Sequence, residues 1–193
     1  MNENNQVTIA EAAGITMILS AMNDHSSNAT VQTHGCGVLW NLAVNDNNQV
    51  TIAEANGITT ILSAMENHSS DATVQHYGCA ALWNLAVNDK NKLAIVLAGG
   101  ISTILSAMKK HSSNANVQHF GCGVLGNLAV NDDNKVSIVA AGGIDTILST
   151  LMNHLSNAYV QEYGCGALKN LAMNDYIRVA LTAVGGITTK IFL

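Results

Sequence analysis

Proline is absent from all 193 residues, so no Pro-rich linker divides the chain. Charge is scarce: Asp, Glu, Lys and Arg make up 11% of the residues, where roughly a quarter is usual. Cationic side chains are missing altogether from the first 89 positions, which hold eight acids and carry −8. Residues 90–193 hold eight Lys/Arg against five acids and carry +3. The net charge of −5 excludes a broad Lys/Arg footprint for nucleic acid. No apolar run approaches the roughly 20 residues that span a bilayer. The opening MNENNQV lacks the basic start and apolar stretch of a secretory signal. These absences give the expectation of an intracellular chain, cytoplasmic or nuclear, with neither membrane nor nucleic acid as a partner. What is present is apolar. A hydrophobic share of 48% suffices for a packed core and excludes intrinsic disorder. Polarity comes from 23 Asn, with Ser, Thr and His. The length suits one ordinary domain or a short array of repeats.

An array is what the spacing shows. Gly-Cys occurs at 35–36, 78–79, 121–122 and 164–165, and Gly-Ile at 14–15, 57–58, 100–101, 143–144 and 186–187. Every step is 43 residues, with no insertion or deletion. Full units cover about 4–46, 47–89, 90–132 and 133–175, and a partial unit covers 176–193, all in a single repeat domain over 1–193. A period of about 40 to 47 residues with helical patterning marks helical solenoids. Propeller blades share that length, but they need alternating strands and turn signals that are missing here.

Inside a unit the periodicity is helical. Val31, Gly35, Val38, Leu39 and Leu42 recur at i, i+4, i+7, i+8 and i+11, one apolar face of a long helix. Ile15, Ile18, Leu19 and Met22 mark a shorter helix before it, and Val7 to Ala13, or Leu93 to Ala98, a third and shortest one. Breaks fall at Ala-Gly or Gly-Gly (13–14, 99–100, 142–143) and at His-Ser-Ser-Asn over 25–28. Ser27 or Asn28, Ser70 or Asp71, and Ser113 or Asn114 are natural N-caps for the long helix. Thr16, Thr59, Ser102 and Asp145 stand where they support the first turn of the middle helix.

Residues 116–132, Asn-Val-Gln…Gly-Cys-Gly-Val-Leu…Asn-Leu-Ala-Val-Asn-Asp, and 138–144, Ile-Val-Ala-Ala-Gly-Gly-Ile, resemble the armadillo-repeat consensus. The resemblance covers residues 4–175 and part of the fifth unit. It implies an all-α fold, a right-handed α-solenoid (armadillo-like superhelix) of 43-residue three-helix repeats. It also implies a concave groove, lined by the third helices, that binds extended peptides or partner proteins.

Comparing the units with one another separates two kinds of position. Gly35, Gly78, Gly121 and Gly164, each followed by Cys, never change. A glycine inside a helix costs about 1 kcal/mol relative to Ala, so these mark close helix–helix approach. Other positions vary. With Val31 at 0° and about 100° per residue, the apolar positions cluster near 30°. Thr30, His34, Gly37 and Asn41 fall at about 240° to 300°, and Thr33 and Trp40 near 190°, away from the core. There the units read His34, Tyr77, Phe120, Tyr163; Thr33, His76, His119, Glu162; Thr30, Thr73, Asn116, Tyr159; and Trp40, Trp83, Gly126, Lys169. Aromatic side chains that bury large area yet keep a polar handle suit a recognition surface. The competing reading is that they pack against the neighbouring repeat. The candidate contact residues are Trp40, Trp83, His34, Tyr77, Phe120, Tyr163, His76 and His119.

The resemblance adds an asparagine row: Asn41, Asn84, Asn127 and Asn170 match the family position whose amide grips the backbone of a bound peptide. An amide donates and accepts at once, so the row suits that role as well as clipping adjacent long helices together. One departure is plain. The nuclear-import type of armadillo protein carries a tryptophan four residues before the Asn, whereas this chain has Gly37, Ala80, Gly123 and Gly166.

Sharper chemistry fails on geometry. His25, His68, His111 and His154 repeat in register, but units stacked about 8–10 Å apart separate the imidazoles too far to share a zinc at Zn–N of about 2.0–2.1 Å; loop capping fits them better. The same spacing exceeds the about 7 Å limit for a disulfide, so Cys36, Cys79, Cys122 and Cys165 read as buried thiols. His34 and Cys36 face different ways on one helix, and no nucleophile, base and orienter come together. Asn28-Ala29-Thr30 and Asn67-His68-Ser69 match a glycosylation sequon by chance in an unsecreted chain. The expectation is a non-enzymatic scaffold with no metal and no cofactor, binding an extended peptide or partner protein along the third helices. The alternative is a self-associating element, a homo-oligomer through the solenoid ends or a piece of a longer array. It rests on apolar terminal units and on the opposite charges of the two halves.

Overall fold

In a computed structural model the described residues are 13–175 and 177–179. Among them the chain forms helices and short connections only: α1 (Gly14–Asp24), α2 (Ala29–Leu42), α3 (Asp46–Glu54), α4 (Gly57–Asn67), α5 (Ala72–Leu85), α6 (Asp89–Leu97), α7 (Gly100–Lys110), α8 (Ala115–Leu128), α9 (Asp132–Ala140), α10 (Gly143–Asn153) and α11 (Ala158–Ala172). Short, middle and long helices alternate with 9, 11 and 14 residues in the second repeat. The short helix expected over 7–13 lies outside the described residues except at Ala13, as does the partial fifth unit except at 177–179. No single helix among the described residues is long and apolar enough to cross a membrane. The fold gathers into two compact units, Met1–Thr103 and Ile104–Leu193.

Each boundary has a local cause. The long helices begin on Asn28, Asp71, Asn114 and Asn157. Asp71 Oδ1, for example, accepts from the amides of Thr73 and Val74 at 2.8 and 3.2 Å, two donors that a helix start otherwise leaves unpaired. The short helices are capped in the same way by Asn45, Asn88 and Asn131, caps that the sequence reading did not single out. The middle helices have no such side-chain cap at Ala13, Asn56 or Gly142. They are entered instead through a left-handed residue: Ala13 at φ 58°, Asn56 at 64°, Gly99 at 81° and Gly142 at 80°. Of the expected supports, Ser102 donates to the Gly99 carbonyl at 2.7 Å.

In unit 1, Ile61, Met65, Val74, Leu82 and Leu85 are almost wholly buried between the middle and long helices of the second repeat. A Cβ on Gly78 would stand 2.5 Å from Met65 Cγ, so the invariant glycine seats the end of α4 against α5. Gly57 answers a different contact: its Cβ would lie 2.7 Å from the Ile52 carbonyl, where α3 turns into α4. Gln75, 1% exposed, donates from Nε2 to the Met65 and His68 carbonyls at 2.8 and 3.0 Å, closing the end of α4.

Unit 2 repeats this design. Gln118 Nε2 donates to the Met108 and His111 carbonyls, both at 2.9 Å, and its Oε1 accepts from Thr150 at 2.6 Å. Gly121 seats Met108, and Gly164 seats Leu151. The Gly143 Cβ position lies 2.7 Å from the Ile138 carbonyl.

Candidate functional site

In unit 1 the long helices α2 and α5 lie side by side. Asn84 Nδ2 donates to the Trp40 carbonyl at 3.0 Å, and the Tyr77 ring covers Gly37, whose Cβ would sit 3.4 Å from it. The Trp40 ring lies 6.4 Å from that of His76 and 6.1 Å from that of Tyr77, and His76 stacks on Tyr77 at 4.5 Å. Trp40, Trp83, His76, Tyr77 and Asn84 are half-buried, while His34 and Asn41 are exposed.

In unit 2, α8 and α11 pair in the same register. Asn170 Nδ2 donates to the Gly126 carbonyl at 2.9 Å, and the Gly126 Cβ position meets Ala167 Cα at 3.5 Å. His119 is the centre of a ring cluster: Phe120 at 4.4 Å, Tyr163 at 4.6 Å and Tyr159 at 5.5 Å. Phe120 is only 7% exposed; His119, Tyr163 and Asn127 are half-buried.

The expectation that the aromatic rows face solvent, opposite the core, is therefore corrected. A long helix has a second covered side, against the next long helix, and a helical wheel drawn within one repeat is blind to it. Trp40, which meets His76 and Tyr77 of the next long helix, and His119, which meets Tyr159 and Tyr163, are covered in this way, and Trp83, Tyr77 and Tyr163 keep only part of their surface open. Asn84 and Asn170 each use one N–H to clip neighbouring long helices. The remaining amide hydrogen and the oxygen have no partner among the described residues.

Burial also sets the electrostatics. It lowers the pKa of His119, and the nearby Glu162 carboxylate partly opposes the shift. Tyr163 is raised, first by burial and then by Glu162 and Tyr159. Burial pushes the Cys36 thiol up to about 12, and the Cys122 thiol likewise to about 12, with Cys165 adding to it. Such thiols are poor nucleophiles at neutral pH.

The histidine register has a structural use: the His68 ring Nε2–H donates to the Ser26 carbonyl at 2.7 Å in unit 1, and His154 to the Ser112 carbonyl at 2.7 Å in unit 2. Each ties one loop to the loop of the repeat before it, rather than capping its own. Among the described residues no three His, Cys, Asp or Glu side chains are grouped to hold a metal ion. Sequence reasoning missed Tyr159 as part of the ring cluster. The available signal was its place in the row Thr30, Thr73, Asn116, Tyr159, where a ring replaces small polar side chains.

Helical triplets at a 43-residue period, with long helices clipped in register, define an α-solenoid of armadillo repeats. The family model for the LRRK2 ARM repeat matches residues 17–188, and the chain belongs to this armadillo-repeat family. A comparison with curated proteins found no match. Among solved structures, an engineered protein is 26% identical with a TM-score of 0.84, over 96% of this chain and 74% of that one. A designed armadillo repeat protein shares the fold at 17% identity and a TM-score of 0.84, over 96% and 76% of the two chains. A chain from a structure concerning the interaction between cadherin and beta-catenin aligns at 16% identity and a TM-score of 0.52, over 95% of this chain but 42% of that one. Armadillo scaffolds are generally non-enzymatic.

Proposed function

We propose that the chain is a non-enzymatic intracellular scaffold whose third helices bind an extended peptide segment of a partner protein. One observation carries the reading. The long helices keep one packing register while their half-open side chains change from repeat to repeat, from Trp40, His76 and Tyr77 in unit 1 to His119, Tyr159 and Tyr163 in unit 2. Half-open rings with polar edges gain most from a partner that completes their burial. The unused donor and acceptor of Asn84 and Asn170 suit a peptide backbone. The likeness to a chain studied for its interaction with cadherin supports protein partners in general.

The test is selection of a random-peptide phage library on the immobilised 193-residue chain. Enriched peptides should bind the wild type and lose about tenfold or more in affinity to a Trp40→Ala/Trp83→Ala variant that keeps its helical circular dichroism. Absence of any enriched peptide, or binding indifferent to both tryptophans, overturns the proposal.

Self-association is a second reading, favoured by the opposite charges of the two halves, −8 over residues 1–89 and +3 over 90–193, which attract one copy to another. Light scattering that shows a monomer at high concentration and low salt removes this reading.

A further inference from the structure

Asn-Gly occurs once in the chain, at Asn56–Gly57, where α3 turns into α4. The other repeats carry Ala13, Gly99 and Gly142 at the position of Asn56. In water an Asn-Gly pair modifies itself: the amide nitrogen of the second residue attacks the side-chain carboxamide of the first. Glycine, having no Cβ, hinders that attack least. Asn56 is exposed, so water reaches it, and its side chain makes no hydrogen bond among the described residues. The Gly57 N–H likewise donates to nothing among them.

The closed turn nevertheless holds the two groups apart. Asn56 is left-handed, at φ 64° and ψ 22°, and at that ψ the Gly57 nitrogen lies across the Cα–C bond from Cβ. Ring closure needs the nitrogen beside Cγ, and hence a large rotation about Cα–C. That rotation swings the Asn56 carbonyl away from the Thr60 amide, whose hydrogen bond it accepts at 3.1 Å. It also drags Gly57 off its seat, where a Cβ would stand 2.7 Å from the Ile52 carbonyl. The first turn of α4 must open before the reaction begins.

We infer that Asn56–Gly57 is a self-modification site gated by the α3–α4 turn, which converts time spent open into a permanent change of the chain. In the open turn the Gly57 nitrogen bonds to Asn56 Cγ, and the side-chain nitrogen leaves as ammonia, taking the Gly57 amide proton. Water then cleaves the five-membered imide on one of two sides. Cleavage at Cγ leaves aspartate at position 56. Cleavage at the main-chain carbonyl leaves isoaspartate, which routes the backbone through Cβ and Cγ and lengthens it by a methylene. Aspartate fits the closed turn, since it tolerates a left-handed backbone and its charge suits the start of α4. Isoaspartate does not, because the added atom displaces Gly57 from a contact without slack.

The 193-residue chain is aged at neutral pH in native buffer and in urea, then cleaved after Glu54 and Glu66 to free residues 55–66. Mass spectrometry of that peptide reads the exchange of NH2 for OH, and labelling by an isoaspartyl methyltransferase separates the two products. The exchange should be at least about tenfold slower in native buffer. Ile52→Val trims a fully buried side chain against the turn; it should speed the native reaction about 2- to 10-fold and leave the rate in urea unchanged. Asn56→Gly, which copies the third and fourth repeats, should stop the exchange. Returned from urea, isoaspartate chains should melt lower than unreacted ones, whereas Asn56→Asp should melt no lower than the wild type. Equal rates in native buffer and urea, no exchange in either, or isoaspartate chains that melt like the wild type overturn the inference.

Discussion

Met65 and His68 end α4 with carbonyl oxygens that no later turn of that helix can satisfy. Gln75 donates to both from the neighbouring long helix, and for the Met65 oxygen, unlike that of His68, no backbone donor is at hand among the described residues. Replacing Gln75 with leucine keeps the volume but strands the buried Met65 acceptor, at about 1–3 kcal/mol less what relaxation recovers, while the His68 carbonyl keeps the Asp71 amide at 2.9 Å. Gln75→Leu should therefore lose about 1–3 kcal/mol in urea unfolding. This role was hidden in the sequence, because a polar residue amid an apolar helix face looks like surface unless its partner is known. The caps at Asn28, Asp71 and Asn114 were legible, since cap and recipient amides are neighbours in the chain. His119 gives a pH signature. Its pKa is lowered from 6.5 on folding, chiefly by burial, so below pH 6.5 the unfolded chain binds the proton first and stability falls with pH. His119→Gln should flatten the decline of the melting temperature between pH 7 and 5.5, and an unchanged slope would count against this assignment.

At the scale of the helix, three glycines on equivalent scaffolds meet three different surroundings. At Gly57 a methyl group would run into the Ile52 carbonyl, which is backbone and cannot step aside; Gly57→Ala should cost about 1–3 kcal/mol. At Gly78 the obstacle is the Met65 side chain, which can shift, so Gly78→Ala should cost less. Gly166→Ala meets nothing among the described residues and should gain up to about 1 kcal/mol from helix propensity. Thermal unfolding of the three variants orders them, and any other order refutes the contact argument. The invariance of Gly57 and Gly78 across repeats showed in the sequence that something packs there. The asymmetry of the long helices did not show: Trp40 and His119 are covered by side chains roughly one repeat away, and periodicity within a helix carries no record of that second neighbour.

For the molecule as a whole, the unbroken 43-residue step means that one repeat can be removed without disturbing register. Excision of residues 47–89 joins Asp46 to Lys90 in the phase that every other repeat boundary has, and should leave helical content per residue unchanged by circular dichroism. Excision of residues 47–68 joins Asp46 to Ser69, out of phase, and should reduce helicity and cooperativity together. The repeat register was therefore readable from the chain, whereas contacts with the next long helix, such as Tyr77 over Gly37 and Asn84 on the Trp40 carbonyl, acquired meaning only in the fold. The hydrogen bonds by which Asn84, Asn91, Asn170, His68 and His154 tie repeats together within each unit join residues 42 or 44 apart. Drawn out by its two ends in an optical trap, such a molecule yields by shedding one set of these ties after another, and each release frees about 150 Å of slack.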